Sequence, residues 1–98
     1  MTLTNKNWKN KRGTGDRMCS CGSWAQHWMN FSQESWPAKC FVKGCHNRPV
    51  LGAHVYNPDE HGEWIIPMCS SCNKRVDAFD IEEMVTLVSA NTKKTCNK

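Results

Sequence analysis

The sequence predicts a small α+β domain stapled by zinc, with an aromatic helix ahead of the metal-bearing part. Three observations lead there. A chain of 98 residues, 39 % of them hydrophobic, fits one domain and excludes a multidomain enzyme or a large barrel. Core burial at roughly 25 cal/mol per Å² only about balances the ordering of so short a chain. Seven cysteines are the candidates for the staple that such a core needs. Helical spacing of aromatic residues gives way, further along, to two apolar runs that read as strands around a polar turn.

The elements follow in order. Met1 to Arg17 holds Lys6, Lys9, Lys11, Arg12 and Arg17 against the single acid Asp16, and Trp8 is its one large apolar side chain beyond Met1 and Leu3. It can bury too little to fold alone, so residues 1–17 are expected to form a flexible basic arm and residues 18–98 the domain. Ser23-Trp24-Ala25-Gln26 has capping-box form and opens a helix over Trp24 to about Ser32. Trp24, Trp28 and Phe31 fall at i, i+4 and i+7 there, an aromatic stripe expected to be core. Ser35-Trp36-Pro37 ends the helix, because the residue before a proline disfavours the α region. Cys40 and Cys45 bracket a turn at Gly44. Pro49 to Val55 reads as a strand, Tyr56 to Gly62 as a polar turn, and Trp64 to Met68 as a second strand. A helix beginning near Ser70 is expected to run through Asn73, Val76 and Phe79, and Met84 to Val88 to form a last strand before a polar tail.

Cys40-x4-Cys45 and Cys69-x2-Cys72 are close pairs with a hairpin's length of chain between them. Two thiolates on one turn can both reach an ion at about 2.3 Å, and two such pairs complete a tetrahedral site that favours Zn2+. Cys19, Cys21, His27 and Cys96 have the ligand types for a second zinc that would tie the two ends of the chain together. His46 and His61 read as exposed loop histidines. Metal is preferred to disulfides because the basic N-terminus lacks an apolar run of secretory type, which points to a cytoplasmic, reducing setting, and because an odd cysteine count suits metal ligation plus spare thiols better than a closed disulfide framework. About 18 consecutive apolar residues occur nowhere, so no membrane partner is expected.

The Cys-x4-Cys knuckle, the strand ending in Gly52-Ala53-His54-Val55, Pro58, the strand Trp64 to Met68, and Cys69-Ser70-Ser71-Cys72-Asn73 opening a helix together resemble the zinc-bearing ββα-metal, or HNH, endonucleases, built on a treble clef. The resemblance covers about residues 40–80. It implies that His54 is the general base activating water, and that Asn73 orients water or ligates a divalent cation such as Mg2+ at a DNA phosphodiester. An imidazole with an ordinary pKa near 6.5 can accept a proton at neutral pH, and a divalent ion can stabilise charge on phosphate oxygens. Ala53 and Trp64 stand where many members carry a metal ligand and a loop-fixing asparagine. Asp77, Asp80 and His61 are the residues that could replace the missing ligand.

Basic residues at Lys9, Lys11, Arg12 and Arg17, beside the knuckle at Lys43 and Arg48, and on the first turns of the second helix at Lys74 and Arg75 suit phosphate contact. The expected function is therefore a zinc-binding nucleic-acid-binding protein, with DNA cleavage resting on His54 and Asn73. The alternative is a catalytically inactive treble-clef module acting as a protein-interaction or inhibitor domain, in which one of the five tryptophans is an exposed anchor.

Overall fold

A computed structural model of the chain describes residues 4–14, 17–92 and 95. Its elements are β1 (Lys9–Asn10), α1 (Trp24–Ser32), β2 (Leu51–Tyr56), β3 (Glu63–Met68), α2 (Ser70–Asn73) and β4 (Val88–Ser89). The strands form one sheet in the order β1-β2-β3-β4, antiparallel throughout. The β2–β3 hairpin is its centre, pairing Leu51 with Met68 at one end and Tyr56 with Glu63 at the other. Its apolar runs bury Ala53, Val55, Ile65, Ile66 and Met68. At roughly 1.5–3 kcal/mol per buried large side chain they supply much of the core. The hairpin turn is locked by Asn57, which is buried; its Oδ1 accepts from the Asp59 N–H at 2.9 Å while its Nδ2 donates to the Lys6 carbonyl at 2.7 Å.

Helix α1 starts where its cap predicts. Ser23 has extended backbone and its hydroxyl accepts from the Gln26 N–H. The reciprocal half of the capping box does not form, since the Gln26 side chain donates to Asn30 one turn on. The buried face is His27 and Trp28, and Phe31 is exposed. The expected stripe of Trp24, Trp28 and Phe31 is thus rotated by one residue, because α1 packs Trp28 against Trp36 and Phe41 and lays His27 between Trp24 and Phe31.

Three expectations are corrected. The segment expected to be a flexible arm is pinned to the domain over residues 4–14: Trp8 is fully buried and exchanges backbone hydrogen bonds of 2.8 Å with Phe79, and β1 adds to the sheet beside β2. The second helix stops at Asn73 instead of running to Phe79. Phe79 is held in that bridge to Trp8, Val76 is exposed, and the Asn10 side chain donates to the carbonyls of Cys72 and Arg75, satisfying groups that a longer helix would have bonded internally. The last strand is only Val88–Ser89, because Met84 sits fully exposed in a left-handed turn.

All five tryptophan indoles donate to backbone carbonyls, of Thr4, Arg17, Thr86, Pro49 and His61 for Trp8, Trp24, Trp28, Trp36 and Trp64. Each is buried or half-buried. None is the exposed anchor that the interaction-domain alternative invokes.

Candidate metal centre and adjoining basic groove

The knuckle and the β3–α2 junction bring Cys40, Cys45, Cys69 and Cys72 together, with all four sulfurs within 4.8 Å of one another. No described cysteine is in a disulfide. Cys45 Sγ and Cys69 Sγ are 3.8 Å apart, which matches the edge of about 3.8 Å of a tetrahedron with metal–sulfur distances of about 2.3 Å. Backbone N–H groups point at the sulfurs: that of Cys69 donates to Cys40 Sγ and that of Cys72 to Cys69 Sγ, each at 3.4 Å, and the Asn47 amide reaches Cys69 Sγ at 3.7 Å. Burial opposes charge on Cys69, yet these donors prevail and hold its thiol down at about 7. Burial pushes the Cys40 and Cys72 thiols up. Four convergent sulfurs with amide donors already aimed at them fit a tetrahedral metal ion, and the thiols would yield their protons to it. His46 and His61 are exposed, as expected.

Of the second predicted set, Cys19, Cys21 and His27 do come together, while Cys96 lies outside the described residues.

His54 and Asn73, from different elements, line one cleft with Thr14, Arg17, Trp24 and Gly52. His54 is buried, its ring stands across that of Trp24 with centroids 4.4 Å apart, and its Nε2 has no hydrogen-bond partner. Burial above all, then the Arg17 charge, lowers its pKa to about 4, with Glu63 opposing. A histidine that titrates at 6.5 unfolded and about 4 folded leaves the folded chain holding fewer protons between those values, so stability rises with pH there. The contribution, about 3 kcal/mol, is complete above pH ~6.5 and is lost as pH falls toward ~4. Denaturant titrations at pH 7.5 and 5.5 should show the native chain losing about 1.4 kcal/mol more than His54→Asn over that interval. Equal losses would mean that His54 is solvated.

The residues that might have replaced the missing cation ligand lie elsewhere. The Asp77 carboxylate accepts from Arg75; Asp80 accepts from the Asn7 N–H and lines a separate cleft with Lys43; His61 is in the exposed turn. Ala53 is buried opposite Ile66, and Trp64 is paired with Val55 and Ser89. Among the described residues, which leave out Gly15 and Asp16, the His54 cleft offers an imidazole, a hydroxyl, a carboxamide and a guanidinium but no carboxylate. That donor set does not fit a hard divalent cation, which favours carboxylate oxygens.

The cleft continues, through Thr14 and Asn73, into a groove between the β1 segment and α2 lined by Lys11, Arg12, Lys74 and Arg75, and from there to a hollow that adds Lys9. Lys11 and Arg17 both face Glu63, and Arg75 faces Asp77. Lys9, Arg12 and Lys74 have no ion pair among the described residues. Lys43 sits in the neighbouring cleft that shares Arg75, and Arg48 is exposed and lines neither. Asn10 and Thr14 also line the groove without having been singled out by the sequence; their polar side chains carry no local signal, and only the pairing of β1 with β2 brings them there.

Fold and site define a small α+β protein with a four-thiol centre able to hold a metal ion. No described helix is long and apolar enough to cross a membrane. Comparison with protein-family models, curated proteins and solved structures returned no match.

Proposed function

We propose that this chain is a zinc-stabilised, treble-clef-like module of the reducing cytoplasm that binds nucleic acid through the groove between β1 and α2. One observation carries the reading: basic residues far apart in sequence, Lys9, Lys11 and Arg12 on one side and Lys74 and Arg75 on the other, line hollows that share Asn10, Lys11 and Arg12, with Asn73, the residue after Cys72, in the wall. The knuckle and the β2–β3 hairpin suit the resemblance to ββα-metal proteins, whereas the helix after Cys69 is cut to the single turn Ser70–Asn73. A zinc ion at the four thiols would fix α2, and with it one wall of the groove.

Phosphate contact of this kind is salt-dependent. With three to five phosphates neutralised, affinity for a short fluorescein-labelled DNA duplex is expected to fall roughly 10²-fold between 50 and 200 mM NaCl. The double variant Arg12→Glu, Lys74→Glu should weaken binding by at least about tenfold at 50 mM. Absence of binding at low salt, or affinity indifferent to salt, removes the proposal.

A second reading, hydrolysis of the bound DNA, is favoured by His54 and Asn73 sharing the adjoining cleft. The His54 Nε2 is without a hydrogen-bond partner and the imidazole is neutral at pH 7, but burial lowers its pKa to about 4 and makes it a weaker base than the ordinary histidine that the resemblance implies. The described lining of the cleft holds no carboxylate for a divalent cation, so this reading rests on the imidazole and carboxamide, and any cation would have to arrive with the DNA phosphate. Supercoiled plasmid added to the same mixtures with Mg2+ or Mn2+ tests this: nicking lost in His54→Ala supports it, and equal outcomes for both chains dismiss it.

A further inference from the structure

We infer that Cys19, Cys21 and His27 hold a second zinc ion, independent of the four-thiol centre. The three ligand atoms lie within 4.8 Å of one another. The Cys-x-Cys spacing is shorter than the usual two to four residues between paired ligands, but here the chain folds over: the Gly22 N–H bonds the Cys19 carbonyl at 3.3 Å, and Gly22 takes φ 101°, a conformation open to glycine and costly for other residues. That turn carries Cys21 to the start of α1, where its Sγ is 3.8 Å from His27 Nδ1.

The imidazole is already prepared as a ligand. His27 is fully buried, its ring flanked by Trp24 and Phe31 at 4.9 Å each, so its plane is fixed. Its Nε2 lies 2.9 Å from the Ser89 carbonyl. A carbonyl only accepts, so Nε2 carries the proton and Nδ1 presents its lone pair toward the thiols. Metal-binding histidines recurrently have this arrangement, one nitrogen anchored to a backbone carbonyl and the other on the ion. Packing alone does not account for two half-buried thiols gathered on the Nδ1 side of this buried ring. Thiolates with imidazole select zinc, and three such ligands leave one tetrahedral position for a further donor. The ion would clamp the segment before α1 onto the helix, while the Ser89 bond ties the same imidazole to β4.

The two centres differ in shielding: both cysteines of this one are half-buried, whereas in the four-thiol centre only Cys45 is and Cys40, Cys69 and Cys72 are buried. The full chain, freed of any affinity tag, should contain two zinc ions by mass spectrometry with metal analysis. A colorimetric chelator should remove one fast and the other slowly. Cys19→Ser, Cys21→Ser should contain one ion and show only the slow phase. Because that variant could fail to fold, Co2+ titration of the native apo chain gives a second readout: thiolate-to-cobalt absorption should saturate at two equivalents, with one component of lower intensity per ion from the thiolate-poorer site. Saturation at one equivalent, one zinc per native chain, or two zinc ions in a folded double variant would overturn the inference.

Discussion

Cys69→Ser is expected to abolish cooperative folding. Cys69 joins β3 to α2, is nearly buried, and plays two parts: its sulfur is one of the four convergent thiols, and it caps α2 by accepting the Cys72 N–H. Serine is itself a preferred N-cap, so the substitution keeps the cap and removes one of the four thiols able to hold a metal ion. Structural zinc contributes on the order of 10–16 kcal/mol in small zinc-dependent domains, as much as the whole stability of about 5–15 kcal/mol of an ordinary domain. In a chain of 98 residues the core alone leaves little margin. Circular dichroism of Cys69→Ser in excess zinc should therefore show no sigmoidal melt, and the native chain should lose its melt on exhaustive chelation and regain it on zinc addition. A variant melting within a few degrees of the native chain would show that the packed hairpin, and not the ion, holds the fold.

What the sequence made legible follows the range of the interactions. Short-range signals held: the Ser23 cap, the apolar runs of β2 and β3, and the cysteine pairs all depend on neighbours a few residues away, and each appears where expected. Long-range pairings did not announce themselves. Lys9 and Asn10 have no strand character, and become β1 because Trp8 is drawn into the core beside Phe79. Asn10, more than sixty residues away in the chain, then caps the end of α2; the apolar spacing of Val76 and Phe79 suggested a helix because that remote cap was invisible. Met84 to Val88 had β-forming composition, but a left-handed Met84 turns the chain away from the sheet until Val88. The candidate site divides the same way. Its thiols are written in the sequence, whereas the meeting of Lys11 and Arg12 with Lys74 and Arg75, and of His54 with Asn73, is made by the sheet.

Gly52→Ala is expected to displace α1 from the sheet and to release His54. Gly52 lies in β2 opposite Pro67, and a Cβ there would sit 2.6 Å from the backbone carbon and oxygen of Trp24 and 2.8 Å from the Ala25 nitrogen. Those atoms belong to the first turn of α1, which cannot swing aside as a side chain could, so the helix must move as a body. Overpacking of a core costs typically 1–3 kcal/mol, and a clash with backbone belongs at the upper end, about 3 kcal/mol, or roughly 10–20 °C in melting temperature for a domain of this size. The same shift withdraws the Trp24 edge from His54. Burial is the main cause of the low His54 pKa, so the imidazole should titrate back toward its ordinary value near 6.5. With folded and unfolded values drawn together, the stability lost by the native chain between pH 7.5 and 5.5 should shrink in the variant, even though the variant is less stable at both. An NMR titration of the His54 ring alongside thermal melts separates the two effects. If melting falls while His54 still titrates near 4, strain is absorbed within β2 and α1 stays seated; if neither changes, the helix does not rest on Gly52. The expected pairing of a lower melting temperature with a raised His54 pKa ties the covering of this histidine to the absence of one methyl group on the strand two residues before it.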